Sequence, residues 1–147
     1  MKMLRPSIPT EAPYTYTVLR YVHDVGTAEF INVGVVVAAC DMPLVRAKFK
    51  TDYGRVKGAF PSLDTEVFLA RMKRLQACIN AIDAERCLLV HAQKDTSLHT
   101  LIRSVVALED RALCWSPTCW GSGGPLSTIL ELLYARFVTR HDPLRRR

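Results

Sequence analysis

Polar groups set into an otherwise apolar pair of strands are where this sequence concentrates its chemistry. The run Tyr14–Val22 is dense in aromatic and β-branched residues and carries Arg20 near its end. The run Glu29–Ala38 is nearly all Val, Ile and Phe, yet holds Glu29, Asn32 and Gly34. If Val22 pairs with Glu29 across a hairpin, Tyr14, Tyr16, Val18, Arg20 and Val22 share a face with Glu29, Ile31, Val33 and Val35, and Arg20 becomes a diagonal neighbour of Glu29. An ion taken out of water on such a face must be matched. Two roles then remain for Arg20: a buried structural pair with Glu29, or a guanidinium held out to a carboxylate or phosphate, with Asn32 orienting the ligand. Gly34 inside a strand predicts a bulge or the close approach of another backbone or ligand.

Other constellations are weaker. Gly121–Thr128 precedes a helix, where backbone N–H groups favour anions, but the segment lacks the G-K-[ST] ending of a P-loop and the G-x-G-x-x-G spacing. It reads as a loop with helix-entry residues. The cysteines Cys40, Cys78, Cys87, Cys114 and Cys119 are odd in number and never spaced C-x-x-C, so the expectation is reduced thiols filling a core. His23, His91, His99 and His141 are scattered, with no H-E-x-x-H. No nucleophile elbow or close acid pair is visible. No metal or cofactor is therefore expected, and the question of an enzyme using an Arg20 and Glu29 pocket stays open.

Charge is concentrated in two windows of a chain whose formal net charge is +6. In the first, Arg46, Lys48, Lys50, Arg55 and Lys57 face only Asp52; in the second, Arg136, Arg140, Arg145, Arg146 and Arg147 face only Asp142. Arg46, Lys48 and Lys50 alternate with Ala47 and Phe49, so in a strand the cations share one face and Phe49 points toward a core. This pattern suits a solvated, protected sheet edge. It also fits polyanion binding, in which Arg46, Lys48, Lys50, Arg140, Arg145, Arg146 and Arg147 would contact nucleic acid. With Phe49 on the opposite face, base stacking beside those lysines has no platform.

Elements that would position these groups follow from periodicity. A chain of 147 residues with 49% hydrophobic and 23% charged residues is long enough for one domain with a real core. Three Pro residues mark 1–13 as an extended N-terminal arm, 14–140 reads as a single domain, and 141–147 as a basic C-terminal tail. Strands at 14–22, 29–38 and 44–50 form a meander. Phe68, Met72, Leu75, Ile79 and Ile82 recur at helical spacing and predict one helix over 62–86, capped by Ser62 or Asp64. A second helix is expected over 96–109 with Asp95 or Thr96 as cap, a fourth strand within 112–119, and a last helix opened by Pro125 on Leu126, Leu130, Leu133 and Phe137. Trp115 and Trp120 are expected to pack on that last helix. Strands first and helices later define an α+β domain: an antiparallel sheet with about three helices covering one face. The longest apolar run, Phe30–Cys40, is too short to span a bilayer, and Lys2 and Arg5 are followed by no apolar h-region, so the expected compartment is the cytoplasm.

The strand ending in Arg20 and Tyr21, followed by Glu29, Asn32, Gly34, Val35 and Val36 in the order E-x-x-N-x-G-V-V, resembles the bacterial family filed as domain of unknown function 3037. Phe60-Pro61, Ser116-Pro117 and the closing stretch Leu132–Val138 resemble it as well, so the likeness covers about residues 14–140. The resemblance implies a small cytoplasmic bacterial protein without established activity, with Arg20, Glu29, Asn32 and Gly34 as the matching positions and, in some genomes, a neighbouring kinase-like protein of the HipA type. The loop ending in Gly123, Gly124 and Pro125 departs from the acidic stretch that relatives carry before the last helix. The resulting expectation is a non-enzymatic protein-interaction module with a protein partner, ahead of nucleic-acid binding.

Overall fold

The computed structural model describes residues 12–24, 29–91, 98–108 and 112–140. Of the N-terminal arm expected over 1–13, residues 1–11 lie outside the described residues, as do the helix caps Asp95 and Thr96 and the tail cations Arg145, Arg146 and Arg147, while Ala12 and Pro13 already belong to the first strand. Among the described residues five strands form one antiparallel sheet: β1 (Ala12–Asp24), β2 (Glu29–Ala39), β3 (Val45–Phe49), β4 (Leu113–Trp115) and β5 (Cys119–Gly123). The order is β3-β2-β1-β4, with β5 also paired to β1. The chain is α+β, as its order of strands and helices predicts.

Helices pack on both faces, not one. On the first face, α1 (Gly54–Ala59), α2 (Thr65–Asn80), α3 (Ala84–His91) and α4 (Leu98–Arg103) contribute Val56, Phe68, Met72, Leu75, Ile79, Cys87 and Ile102 to a core with Leu19, Ile31, Val33, Val36, Ala47 and Phe49. On the second, α5 (Leu126–Tyr134) and its π-helical continuation Ala135–Thr139 bring Ile129, Leu130, Leu133, Tyr134 and Val138 onto Val18, Val35 and Val37. The valine run of β2 lacks alternation because both of its faces are covered.

The long helix expected over 62–86 is two helices. Asp64 caps α2 by accepting from Val67 N at 3.2 Å, and Asp83 accepts from Arg86 N at 2.9 Å, so it starts α3 and breaks the run. The helix expected over 96–109 ends at Arg103. Beyond it, the Ser104 hydroxyl bonds the Leu101 carbonyl at 2.6 Å, and the β-branched Val105 and Val106 follow. The glycine segment read as a loop extends the sheet instead, since β5 runs through Gly121 to Gly123.

The two sheet edges are finished differently. At β3, side chains occupy the outward backbone groups: Ala47 N–H donates to Asn80 Oδ1 at 2.8 Å, and Asn80 Nδ2 returns a bond to the Ala47 carbonyl at 3.0 Å. Phe49 N–H donates to Gln76 Oε1 at 2.8 Å, and Arg46 Nη1 reaches the Val45 carbonyl at 2.7 Å. Asn80 and Gln76, one turn apart on α2, thus act as a surrogate strand that seals this edge. At β4 and β5 the sequence is one long partner of β1, interrupted where Ser116, Pro117 and Thr118 oppose only Thr17 and Val18. That bulge is held by hydrogen bonds. Ser116 N–H donates to the Val18 carbonyl at 2.8 Å, and its hydroxyl accepts from Val18 N–H at 2.9 Å.

Candidate functional site

The register of the first hairpin decides which polar groups meet. Val22 pairs with Phe30 and Asp24 with Glu29, in place of the expected Val22–Glu29 pair. Because strand side chains alternate, this one-residue difference puts Arg20 and Glu29 on opposite faces. Glu29 is exposed and forms no ion pair with Arg20. Further along β2, Val33 is an extra residue, since Arg20 opposes Asn32 while Leu19 opposes Gly34. The bulge leaves the Val33 carbonyl to accept from Lys50 N–H at 2.9 Å.

Gly34 and Asn32 both have assignments within the fold. A Cβ on Gly34 would lie 1.6 Å from Phe49 Cδ1, so the aromatic ring of the paired strand occupies the space of a side chain. The expected close approach at this glycine therefore comes from a core phenylalanine. Asn32 Nδ2 donates to the Phe137 carbonyl at 3.0 Å, satisfying an acceptor in the last helical turn. Its Oδ1 is enclosed and has no hydrogen-bond partner.

Arg20 is the motif residue whose capacity the fold leaves unspent. It is half-buried on the second face, between Asn32 of β2 and Cys114 of β4. Its guanidinium carbon lies 4.5 Å from the centroid of the Phe30 ring, a cation–π geometry. Its Nε is enclosed without a hydrogen-bond partner, and among the described residues no carboxylate reaches it within ion-pair distance. Arg20, Phe30 and Asn32 thus form a shelf at one end of the second face, bounded by Phe137. Along the same strand Tyr16 packs on Phe137 at 5.8 Å and is paired with Cys119. Burial, reinforced by Cys119, pushes the Tyr16 hydroxyl pKa up, against an opposing pull from Arg136.

The basic window does not present a shared cationic face. Lys48 Nζ is 2.6 Å from Glu131 Oε1 and 4.8 Å from the Tyr134 ring centroid, so it is paired with α5 while its side chain stays 38% exposed. The Lys50 side chain is only 1% exposed and lies 3.5 Å from Asp52. Arg46 is exposed but caps its own strand edge. The expected solvated strip of Arg46, Lys48 and Lys50 is replaced by one exposed, one paired and one buried cation; Arg140 is exposed at the end of the last helix.

Three surface recesses, of about 200, 300 and 160 Å³, lie along α2, α3, residues 105–108 and Leu113, and Arg20 and Glu29 line none of these three. Among the described residues no group of three His, Cys, Asp or Glu side chains could hold a metal ion. His99 serves a structural cluster that sequence reasoning missed. Its Nε2 lies 3.0 Å from the Ser116 carbonyl and 3.2 Å from Thr17 Oγ1, and because a carbonyl can only accept, Nε2 carries the proton. The signal was a Ser-Pro step within a strand-like stretch, which marks a bulge.

Cysteine placement also departs from expectation. Cys87 is buried and Cys78 half-buried, whereas Cys40, Cys114 and Cys119 are exposed. Burial, with Asp83 adding to it, pushes the Cys87 thiol up and keeps it protonated; desolvation and Asp41 do the same at Cys40. Titration of the native chain with a thiol reagent is therefore expected to modify Cys114 and Cys119 first and Cys40 more slowly. Cys87 should react only with unfolding, a ranking checked by peptide mass mapping over time.

These features define a class before they define a family: among the described residues, an α+β domain of one sheet with helices on both faces, and a half-buried arginine stacked on Phe30 near the end of its first hairpin. Residues 16–138 match the family described as "Protein of unknown function (DUF3037)", and the chain belongs to that family. No curated protein and no solved structure matches it. Among the described residues no helix is long and apolar enough to cross a membrane.

Proposed function

We propose that this chain is a cytoplasmic, non-enzymatic protein-interaction module that receives an acidic group of a partner protein at Arg20. The observation that carries this reading is the half-buried guanidinium stacked on Phe30 without a carboxylate partner among the described residues. A guanidinium so placed has lost part of its hydration, and a carboxylate delivered by a partner would restore two charge-assisted hydrogen bonds. Asn32, with Nδ2 committed to the Phe137 carbonyl and Oδ1 enclosed, forms the wall of the shelf beside the guanidinium. The kinase-like protein that the family resemblance implies is the first partner to try. Nucleic acid is the less favoured ligand, because Lys48 is neutralised by Glu131 and Lys50 is withdrawn from solvent.

The test compares tagged wild type with Arg20→Gln in native extract and against the purified kinase-like protein. A reproducible partner whose recovery falls about tenfold or more with Arg20→Gln, while the unfolding midpoint stays close to wild type, is the expected result. Equal recovery by both forms, or no reproducible partner for either, refutes the reading.

A further inference from the structure

We propose that the open edge at β5 is a docking surface for a second copy of this chain, the two β5 strands pairing antiparallel about a twofold axis. The backbone directions follow from three hydrogen bonds. Val22 N–H donates to the Ala112 carbonyl and Ser116 N–H to the Val18 carbonyl, so even-numbered residues of β1 address the β4–β5 side; Cys40 N–H donates to the Pro13 carbonyl, so odd-numbered residues address β2. Tyr14 and Tyr16 pair with Gly121 and Cys119, which therefore turn their amides inward. Trp120 and Ser122 turn theirs outward. Among the described residues no other element of the sheet lies beyond β5, and the Trp120 side chain is 73% exposed, more than any other large hydrophobic residue of the described surface. An unpaired edge carrying an uncovered tryptophan is a template for another strand.

Charge and topology select the occupant. The chain carries +6, yet the stretch from Ala112 to Leu130 contains no Asp, Glu, Lys, Arg or His. Two copies meeting along this neutral strip avoid the like-charge repulsion that other faces of a basic chain impose. The opposite edge is sealed by Asn80, Gln76 and Arg46, so among the described residues the open edge of a second copy is its β4–β5 side, and β5 against β5 is the pairing that closes on itself. Pairing of an edge with itself is isologous and closes at two copies. The bulge with Pro117, which lacks an N–H, ends the pairing before β4 and limits it to the segment Cys119–Gly123. Centring the axis on Gly121 sets Trp120 of one copy beside Ser122 of the other, with both outward amides and both carbonyls satisfied.

The experiment is sedimentation equilibrium of the full chain over a dilution series. A monomer–dimer equilibrium is expected, with the dissociation constant raised about tenfold or more by Ser122→Pro, which removes one outward donor, and likewise by Trp120→Asp, which places charge on the neutral strip. Leu132→Ser, at an exposed leucine of α5, should leave the constant unchanged. Circular dichroism and urea midpoints identify a variant that fails to fold, and Trp120→Asp, altering an exposed side chain, supplies the result if Ser122→Pro does so. A chain that stays monomeric throughout, or a dimer indifferent to both edge variants, overturns the proposal. So does a monomeric chain whose β5 edge pairs with a different protein.

Discussion

Gly34→Val is expected to destabilise the fold by about 4 kcal/mol, a large share of the stability of an ordinary domain. The cause is local. The ring of Phe49 already occupies the side-chain position above Gly34, with Cδ1, Cε1 and Cγ at 1.6, 2.4 and 2.8 Å from where a Cβ would stand. Phe49 is 1% exposed, its amide is held by Gln76, and the Trp115 ring lies 6.2 Å away. The ring has no vacant volume to enter, so a branched side chain at position 34 must displace the strand pair. In urea unfolding the midpoint should fall with little change in slope. The cause can be isolated by a cycle: Phe49→Ala alone costs about 3 to 5 kcal/mol by opening a cavity. In that background Gly34→Ala should become neutral or stabilising by a few tenths, because the Cβ gains room and the unfolded chain loses freedom. If Gly34→Ala is as damaging with Ala at position 49 as with Phe, the ring is not the reason for the glycine.

How much of this could be read beforehand differs from element to element, and the reason is periodicity. Strands β1, β2 and β3 were readable to within two residues at their ends because β-branched and aromatic residues cluster there. Their register was not. The run Val33–Val37 is apolar on both faces, so alternation there carries no phase information, and an extra residue at Val33 leaves no mark in it. That single ambiguity decided the site: a register differing by one residue placed Glu29 beside Arg20 on paper and on the far face in the fold. The helical stripe of Phe68, Met72, Leu75 and Ile79 was plain, but Ile82 continues the spacing past the end of α2 at Asn80, so the stripe could not show where the helix stops. Lys50 looked like a third edge cation because the alternation of β3 reaches it. The strand stops at Phe49, and the backbone of Lys50 serves the Val33 bulge instead. Edge sealing did leave a trace, two amides four residues apart beside an apolar stripe, Gln76 and Asn80. Its meaning needs the neighbouring strand.

Ser116→Ala carries the second large expected effect, about 2 to 3 kcal/mol, and it tests how the β4–β5 bulge is held. In an uninterrupted ladder Val18 N–H would donate to a backbone carbonyl; here it donates to the Ser116 hydroxyl at 2.9 Å. That hydroxyl also lies 3.2 Å from Thr17 Oγ1 and 3.1 Å from the Pro117 carbonyl. Ser116 and Val18 are each 5% exposed and Thr17 fully buried, so water cannot replace the lost acceptor. The Ser116 carbonyl is doubly served, by the Thr17 hydroxyl at 2.7 Å and by His99 Nε2 at 3.0 Å. Thr17→Val therefore leaves it one donor and should cost only about 1 kcal/mol. Because both residues belong to one network, the double variant should cost less than the sum of the single ones. Amide hydrogen exchange gives the site-specific reading: protection at Val18 should fall in Ser116→Ala by more than the global loss of stability explains, and in Thr17→Val only in step with it. Equal behaviour of the two variants at Val18 would mean that the serine hydroxyl is not what bridges the interrupted strand, and Ser116-Pro117 would lose its role as the joint between β4 and β5.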